Sequence, residues 1–419
     1  MSRQYKDSGI EWIGQIPSDW TIVPTKRNFQ YKKNIVGTKS DVYDRLALTM
    51  GGVIKRNKDD NEGLQPEKFD GYQILKPNEL VFKLIDLANA KTSRVGLSKY
   101  TGIVSPAYII LRNKQKDNRF YYYWFMFMYY NLIFNHMGDD GVRSALSPED
   151  VLNIPIPLIS LNDQLPIADF LDKKCAEIDS LVELQVQMIA QLTEYKQSVI
   201  TEAVTKGLKP EVKYVPSGID WIGNIPEDWQ ISKVKWQLRE RKEYSENGVE
   251  EPLSMSQKYG LIPTKEMDII PNMASSFVGA KLVHEGDLVF NKLKAHLGVF
   301  AVSKYNGLVS PDYAVYYKRN NTSMKYLEYL FKTPQYIAEF RKLSTGVGAG
   351  LTRLYTNDLF SISCLLPPIK EQEAIAQYIQ NKCTEIDNLI AIKQQKIETL
   401  NEYKKSIIFE CVTGKKDIN

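Results

Sequence analysis

The sequence predicts an α+β protein: two similar mixed α/β lobes, separated and joined by two long helices that pair as an antiparallel coiled coil. Three observations predict it. The chain repeats itself at a displacement of about 208 positions. Each copy ends in a long stretch almost free of helix breakers, whose apolar residues recur at steps of three and four. Ahead of each stretch, short β-branched and aromatic runs bounded by Gly, Pro and Asn mark strands and turns.

Each copy opens on the same motif. Tyr5 to Trp20 reads YKDSGIEWIGQIPSDW and Tyr214 to Trp229 reads YVPSGIDWIGNIPEDW, identical at 11 of 16 positions. Gly9, Gly14 and Pro17, with Gly218, Gly223 and Pro226, break helical and strand periodicity. The motif therefore reads as an extended segment pinned by Trp12 and Trp20, or Trp221 and Trp229. Two readings stay open: packing against the long helices, and docking of a partner subunit.

Further along, Leu80-Val81-Phe82 matches Leu288-Val289-Phe290, and SKYTGIVSPAY (Ser98 to Tyr108) matches SKYNGLVSPDY (Ser303 to Tyr313). Strands are expected at 103–104, 108–111, 300–302 and 313–317. An aromatic helix follows in each copy, Arg119 to Asn135 and Met324 to Leu343. The apolar run from Phe120 to Phe134 falls short of the roughly 20 residues a membrane span needs. A glycine-bearing loop comes next, Met137 to Ser147 and Ser344 to Thr356. Last come a short strand and a Pro-bearing run, Ile154 to Leu158 and Ser361 to Pro368.

The long helices are expected from Asp163 to Lys206 and from Glu371 to about Thr413. Their apolar seam is read through Ile178, Leu181, Met188 and Leu192 in the first, and through Ile386, Ile390, Ile397 and Leu400 in the second. Gln185 and Lys393 interrupt it with polar groups that set register. So narrow a seam requires a partner, and the other copy supplies one. The domain division that follows is residues 1–160, a first lobe, then 161–213, the first long helix. Residues 214–368 form the second lobe and 369–419 the second long helix. Two similar halves in one chain predict a pseudo-two-fold arrangement.

Net charge is +4 over 419 residues, but it is uneven: +5 in residues 1–160, −3 in 161–213, +2 in 214–368 and zero in 369–419. The basic excess sits on the lobes, which suits a polyanion there. Cys175, Cys364, Cys383 and Cys411 have no ligand spacing and read as small apolar residues of a reducing cytoplasm. The start of the chain, MSRQYKDSGIEW, shows no signal pattern. There is no GxxxxGK[ST], HExxH or GxSxG, and the three histidines are scattered, so no catalytic or metal-ligating set is identified. The glycines from Gly346 to Gly350 follow a helix, not a strand, and do not make a dinucleotide turn.

The lobes do carry Arg, Lys, Asn and Ser on loops beside aromatics. Arg143 with Ser144, and Thr352 with Arg353, are read as corresponding positions from which each arginine forks onto guanine O6 and N7. After the LVF strands lie Lys83, Lys91, Ser93 and Arg94 in the first lobe, and Asn291, Lys292, Lys294 and His296 in the second. These suit phosphate neutralisation or base-edge contact.

The paired motifs SGIEWIGQIPSDW and SGIDWIGNIPEDW, the LPPIKEQ run leading into the second helix, and the lobe-helix-lobe-helix order resemble the specificity subunits of type I restriction-modification enzymes. The first helix departs, with LISLNDQLPIADF where the second has LPPIKEQEAIAQY, although Gln164 and Gln372 still align. The resemblance implies that each lobe is a target recognition domain that binds one half of a bipartite, asymmetric double-stranded DNA site. It implies that the helices act as spacer and as platform for two methyltransferase subunits, joined by motor-nuclease subunits in the full complex. It further implies a chain with no cofactor of its own, S-adenosylmethionine, ATP and Mg²⁺ belonging to the partners. A different class, a two-headed protein-protein adaptor, shares the same architecture, and a stand-alone nucleic-acid enzyme is a third reading.

Overall fold

The computed structural model describes residues 3–57, 68–85, 87, 94–113, 117–137, 145–257, 259–270, 276–346 and 352–418. The chain divides into two compact units, residues 1–186 with 395–419, and residues 187–394. Each unit therefore takes one lobe, the leading half of the helix that follows it and the trailing half of the other helix.

In the first unit the opening motif is a hairpin, Tyr5–Asp7 paired antiparallel with Gln15–Pro17. That corrects the extended reading: the chain reverses between the two strands. Thr21–Pro24 then pairs with Pro155–Leu158, so the lobe's first and last segments close on each other. The central sheet runs Gln30–Tyr31, Ile109–Arg112, Leu80–Phe82, Val95–Leu97, all antiparallel. A second four-stranded sheet holds Gly52–Arg56, Arg45–Thr49, Gly102–Val104 and Gln73–Leu75, with one parallel pair at Ile103 and Arg45.

Side chains alternate across a strand. Leu80 and Phe82 therefore enter the main core with the aromatic helix, while Val81 enters a smaller core with Leu46, Leu75 and Ile110. A strand buried on both faces must be apolar throughout, which is why the LVF tripeptide recurs. In the second unit Leu288 and Phe290 face one core and Val289 the other.

The second lobe repeats this plan. Its central sheet is Leu238–Glu240, Tyr313–Lys318, Leu288–Asn291, Phe300–Val302. Its second layer is two antiparallel pairs, Leu253–Ser256 with Gly260–Pro263 and Lys281–Val283 with Gly307–Val309, linked by a parallel bridge from Pro252 to Leu308. The shared SKYxG motif has a steric reason: a Cβ at Gly102 would lie 2.5 Å from the Asp44 carbonyl oxygen, and one at Gly307 2.4 Å from that of Glu251.

The aromatic helix spans Arg119–Tyr130, shorter than expected, with a separate 3-10 turn at Ile133–His136. Its counterpart is two helices, Met324–Phe331 and Pro334–Leu343. Pro334 stands at the first turn of the later helix, where its missing N–H costs nothing, and it cannot continue the earlier one.

The long helices run Leu161–Lys206 and Ile369–Val412. Both begin on the same device: the Gln164 amide donates to the Ile159 carbonyl and the Gln372 amide to the Pro367 carbonyl, each at 2.9 Å. Within the first unit the helix segments are antiparallel, since Lys416 lies over the Phe170 ring and Lys404 pairs with Asp179 at 2.7 Å. Within the second unit Lys209 reaches Glu371, and Lys196 pairs with Asp387 at 2.7 Å. The two Lys-Asp pairs are exact counterparts at a displacement of 208.

Here the seam differs from expectation. Leu181 is 44 % exposed, whereas Val182 packs with Leu400 against the first core. With Ile178 and Ile386 buried and Ile390, Ile397 and Leu192 half-buried, the repeat runs Ile178, Val182, Gln185, Ile189, Leu192, Lys196 against Ile386, Ile390, Lys393, Ile397, Leu400, Lys404. Met188 is half-buried and flanks Ile189. Adjacent apolar residues such as Leu181 and Val182 satisfy the same periodicity, and only packing selects one.

The opening motifs pack intramolecularly. Trp20 is 1 % exposed, Trp12 stacks obliquely on Trp124, and the Tyr5 hydroxyl donates to the Gly414 carbonyl. In the second unit the Tyr214 hydroxyl donates to the Lys206 carbonyl. Each motif thus clasps the end of a long helix. All four cysteines are free and buried. No described helix is long and apolar enough to cross a membrane.

Candidate nucleic-acid interface

In the second lobe three segments converge: the end of the strand at Asn291, the SPDY turn from Ser310 to Tyr313, and Thr352–Arg353. Asn291 pairs with Tyr313 in the sheet, and its Oδ1 accepts from the Leu293 N–H at 3.1 Å. Leu354 N–H donates to the Lys292 carbonyl at 3.0 Å, which docks the Thr352–Arg353 strand beside that end. Thr352 Oγ1 lies 3.4 Å from His296 Nδ1. The Arg353 guanidinium reaches Asp312 at 3.0 Å. Asn291, Lys292, Lys294, His296, Thr352 and Arg353 are therefore gathered on one side of the lobe, with Lys294 exposed and the others half-buried.

Two neighbours escaped the sequence reading. Asp312 differs from Ala107 within the otherwise matching SPDY and SPAY turns, and that single difference was the signal. Lys281 is buried under the same turn, its ammonium donating to the Tyr313 carbonyl at 2.7 Å. Burial holds the Lys281 ammonium below its ordinary pKa, and Lys292 acts in the same direction. Its counterpart Gln73 makes the matching bond to the Tyr108 carbonyl, also at 2.7 Å. A neutral amide and a buried ammonium thus brace the same turn in the two lobes.

In the first lobe, Lys83 is half-buried and its N–H donates to the Arg94 carbonyl at 2.8 Å. Arg94 is 2 % exposed, so its side chain is interior and not offered to a ligand. Lys91, Ser93, Arg143 and Ser144 lie outside the described residues. The structure does correct the equivalence drawn between the two arginines. Leu146 N–H donates to the Leu84 carbonyl as Leu354 N–H does to Lys292. Counting back from those matched leucines puts Ala145, not Arg143, opposite Arg353.

Among the described residues no three His, Cys, Asp or Glu side chains gather as a metal site. The chemistry of the face is hydrogen bonding and charge on converging loops, held by a rigid two-layer sheet.

Comparison with known proteins agrees with this architecture. A family model described as "Type I restriction modification DNA specificity domain" matches residues 24–193. The MjaVIII specificity subunit of Methanocaldococcus jannaschii is 27 % identical over 63 % of this chain, an alignment covering 62 % of that protein's length. A putative MjaX specificity subunit from the same organism is 24 % identical over 96 % of this chain and 95 % of its own length. The EcoKI specificity subunit of Escherichia coli is 22 % identical over 96 % of this chain and 90 % of its own. Among solved structures, one described under assembly and conformational transition of the type I restriction-modification system superposes with a TM-score of 0.69 at 13 % identity. It covers 95 % of this chain and 98 % of that one. The HsdS subunit of Thermoanaerobacter tengcongensis superposes with a TM-score of 0.53 at 14 % identity, covering 96 % and 98 %. With the repeat and the two-lobed fold, these matches make the chain similar over nearly its whole length to the type I restriction-modification specificity subunits, with a specificity domain matched at residues 24–193.

Proposed function

We propose that the chain is the non-catalytic DNA-reading subunit of a type I complex in which each lobe reads one half of a bipartite, asymmetric double-stranded site. The observation that carries this reading is the pairing of a common frame with different reading faces. The same strands and turns present Asp312 and Arg353 in one lobe and Ala107 and Ala145 in the other. Two unlike faces on like frames suit two unlike half-sites. Direct readout in the major groove needs donors and acceptors on rigidly placed loops, and adenine methylation needs the target base flipped by the partner once register is set.

The long helices serve as spacer and docking platform. Leu181, Leu184 and Tyr403 are exposed in the first unit, and their counterparts Leu389, Ile392 and Tyr195 in the second. Two equivalent apolar patches suit two copies of one partner, the methyltransferase subunit. S-adenosylmethionine, ATP and Mg²⁺ belong to the methyltransferase and motor-nuclease partners, and the complex works in the cytoplasm.

The test is methylome mapping of cells carrying this chain and its methyltransferase. A bipartite motif with a fixed gap is expected. Deleting residues 184–190 together with 392–398 removes seven from each helix, keeps the three-four repeat, and shortens the spacer by about 10 Å. The gap should then shrink by about three base pairs at 34 Å per turn. An unchanged gap would sink the spacer role.

A further inference from the structure

Both members of the Asp312–Arg353 ion pair are alanine at the corresponding places in the other lobe. Ser310 Oγ accepts from the Asp312 N–H, and Ser105 Oγ accepts from the Ala107 N–H, each at 3.3 Å, so the two turns are the same turn. Ala145 bridges Ile85 at the end of the first lobe's strand, where Arg353 sits beside Lys292 in the second. Ala107 and Ala145 are both exposed, so neither lobe needs these positions for its core.

The pair is also built to hold a direction. Arg353 Nε is buried with no hydrogen-bond partner among the described residues, while one terminal nitrogen is held by Asp312 Oδ1 at 3.0 Å. The Asp312 side chain is 63 % exposed and that of Arg353 26 %, so the acid and the outer edge of the guanidinium face outward together. A donor fork beside a carboxylate acceptor matches one base-pair edge in particular. In the major groove a G·C pair presents acceptors at guanine N7 and O6 beside a donor at cytosine N4. An arginine alone would satisfy only the guanine.

We propose that Asp312 and Arg353 form one reading element by which the second lobe recognises a G·C base pair through its major-groove edge, and that the first lobe, with alanines in both places, has no such element. The inference rests on the DNA-reading function proposed above. Asp312 has two roles in it: it orients Arg353, and it accepts from cytosine N4.

The experiment uses the intact chain assembled with its methyltransferase subunits and duplex oligonucleotides in which each base pair of the mapped site is replaced in turn. The unaltered complex should discriminate strongly at a G·C pair in the half-site read by the second lobe. Asp312→Ala and Arg353→Ala should each lose about 10- to 100-fold of that discrimination. The double variant should lose no more than the larger single loss, because the pair acts as a unit. Discrimination within the other half-site should hold and reports that the complex is folded. Arg353→Lys keeps the charge but not the fork, and should lose selectivity at that pair while keeping its salt-dependent affinity. Placing Ala107→Asp and Ala145→Arg in the first lobe should create a G·C preference there. Unchanged discrimination in the single variants, a second half-site without a G·C pair, or equal losses in both half-sites would overturn the proposal. Absence of any bipartite preference in the unaltered complex would instead count against the DNA-reading function itself.

Discussion

The first lobe fastens its aromatic helix with a cation, and the second fastens its own with an anion. In the first, Arg119 is clasped by Asp117, Asp169 and Asp172 at 2.6 to 2.7 Å. In the second, Glu328 is 3 % exposed and accepts from the Val302 N–H of the neighbouring strand at 3.2 Å, with Lys332 at 2.6 Å and Lys325 at 2.8 Å balancing its charge from the same helix and its C-cap. The same inversion of means recurs at the sheet. Glu79 binds Arg112 from one strand, and its counterpart Asp287 binds Arg241 from the neighbouring strand, where the arginine stacks on Tyr317. A polar group near a core can change sign or change strand as long as it stays paired, because the cost lies in the unpaired state. The frame, by contrast, stays apolar position by position while side-chain size varies, as at Val95 and Phe300.

The strongest way to break this comparison is to remove one member of each clasp. Burial works to raise the Glu328 pKa, yet Lys332 and Lys325 overcome it and hold the carboxyl below its ordinary 4.5. Glu328→Ala should destabilise the second lobe by roughly 2 to 3 kcal/mol, because it leaves the Val302 N–H without its acceptor and empties a packed site. Arg119→Ala should cost the first lobe about 1 kcal/mol, since its cluster is open to water. Denaturant unfolding followed by hydrogen exchange in each lobe measures both, and equal losses would end the claim that only one clasp is buried. The pH dependence has a definite sign. A depressed acid contributes stability above its unfolded pKa and loses it as pH falls through the folded one, so Glu328→Gln should differ from the unaltered chain at neutral pH and converge with it in acid.

A smaller effect separates the two helix ends. A Cβ at Gly414 would lie 2.4 Å from Cγ of the Pro17 ring, while one at Gly207 would meet the movable Glu371 carboxylate at 2.9 Å. Both residues sit at positive φ, so alanine is strained at either. Gly414→Ala should lower stability by about 2 kcal/mol and Gly207→Ala by about 1, read as the shift in thermal midpoint. The reverse order would show that the two clasps are not equivalent in the way their hydrogen bonds indicate.

The smallest effect concerns the helix pair, where the two units match. Exchanging the charges by Asp179→Lys with Lys404→Asp should change stability by less than about 1 kcal/mol, as for exposed pairs. Either substitution alone should cost more than the exchange. A double-mutant cycle with no coupling would remove these bridges from the account of register.

Much of this was legible from residues alone, for a physical reason. Long helices and doubly buried strands announce themselves through apolar period, which is local, so Leu161–Lys206 and the LVF strands emerge from the sequence. The seam was legible only to within one residue, because Leu181 and Val182 both fit the period and the partner helix chooses between them. The face was less legible. Arg143 and Arg353 look equivalent when counted from their glycines, but the bonds from Leu146 and Leu354 to the preceding strand set the true alignment. Arg94 looks like a surface cation after a strand and is interior.

By itself, then, the sequence determined the repeat, the two lobes and the paired helices, because each rests on periodic burial that any partner of the right shape would satisfy. The tertiary structure alone decided which side of each helix is covered, which arginine meets an acid, and that Asp312 and Arg353 correspond to Ala107 and Ala145 in the repeat. Those are contacts between segments 41 residues apart at Asp312 and Arg353 and 191 to 225 apart at the helix pair, and no local pattern encodes the hydrogen bonds that bring such segments into register.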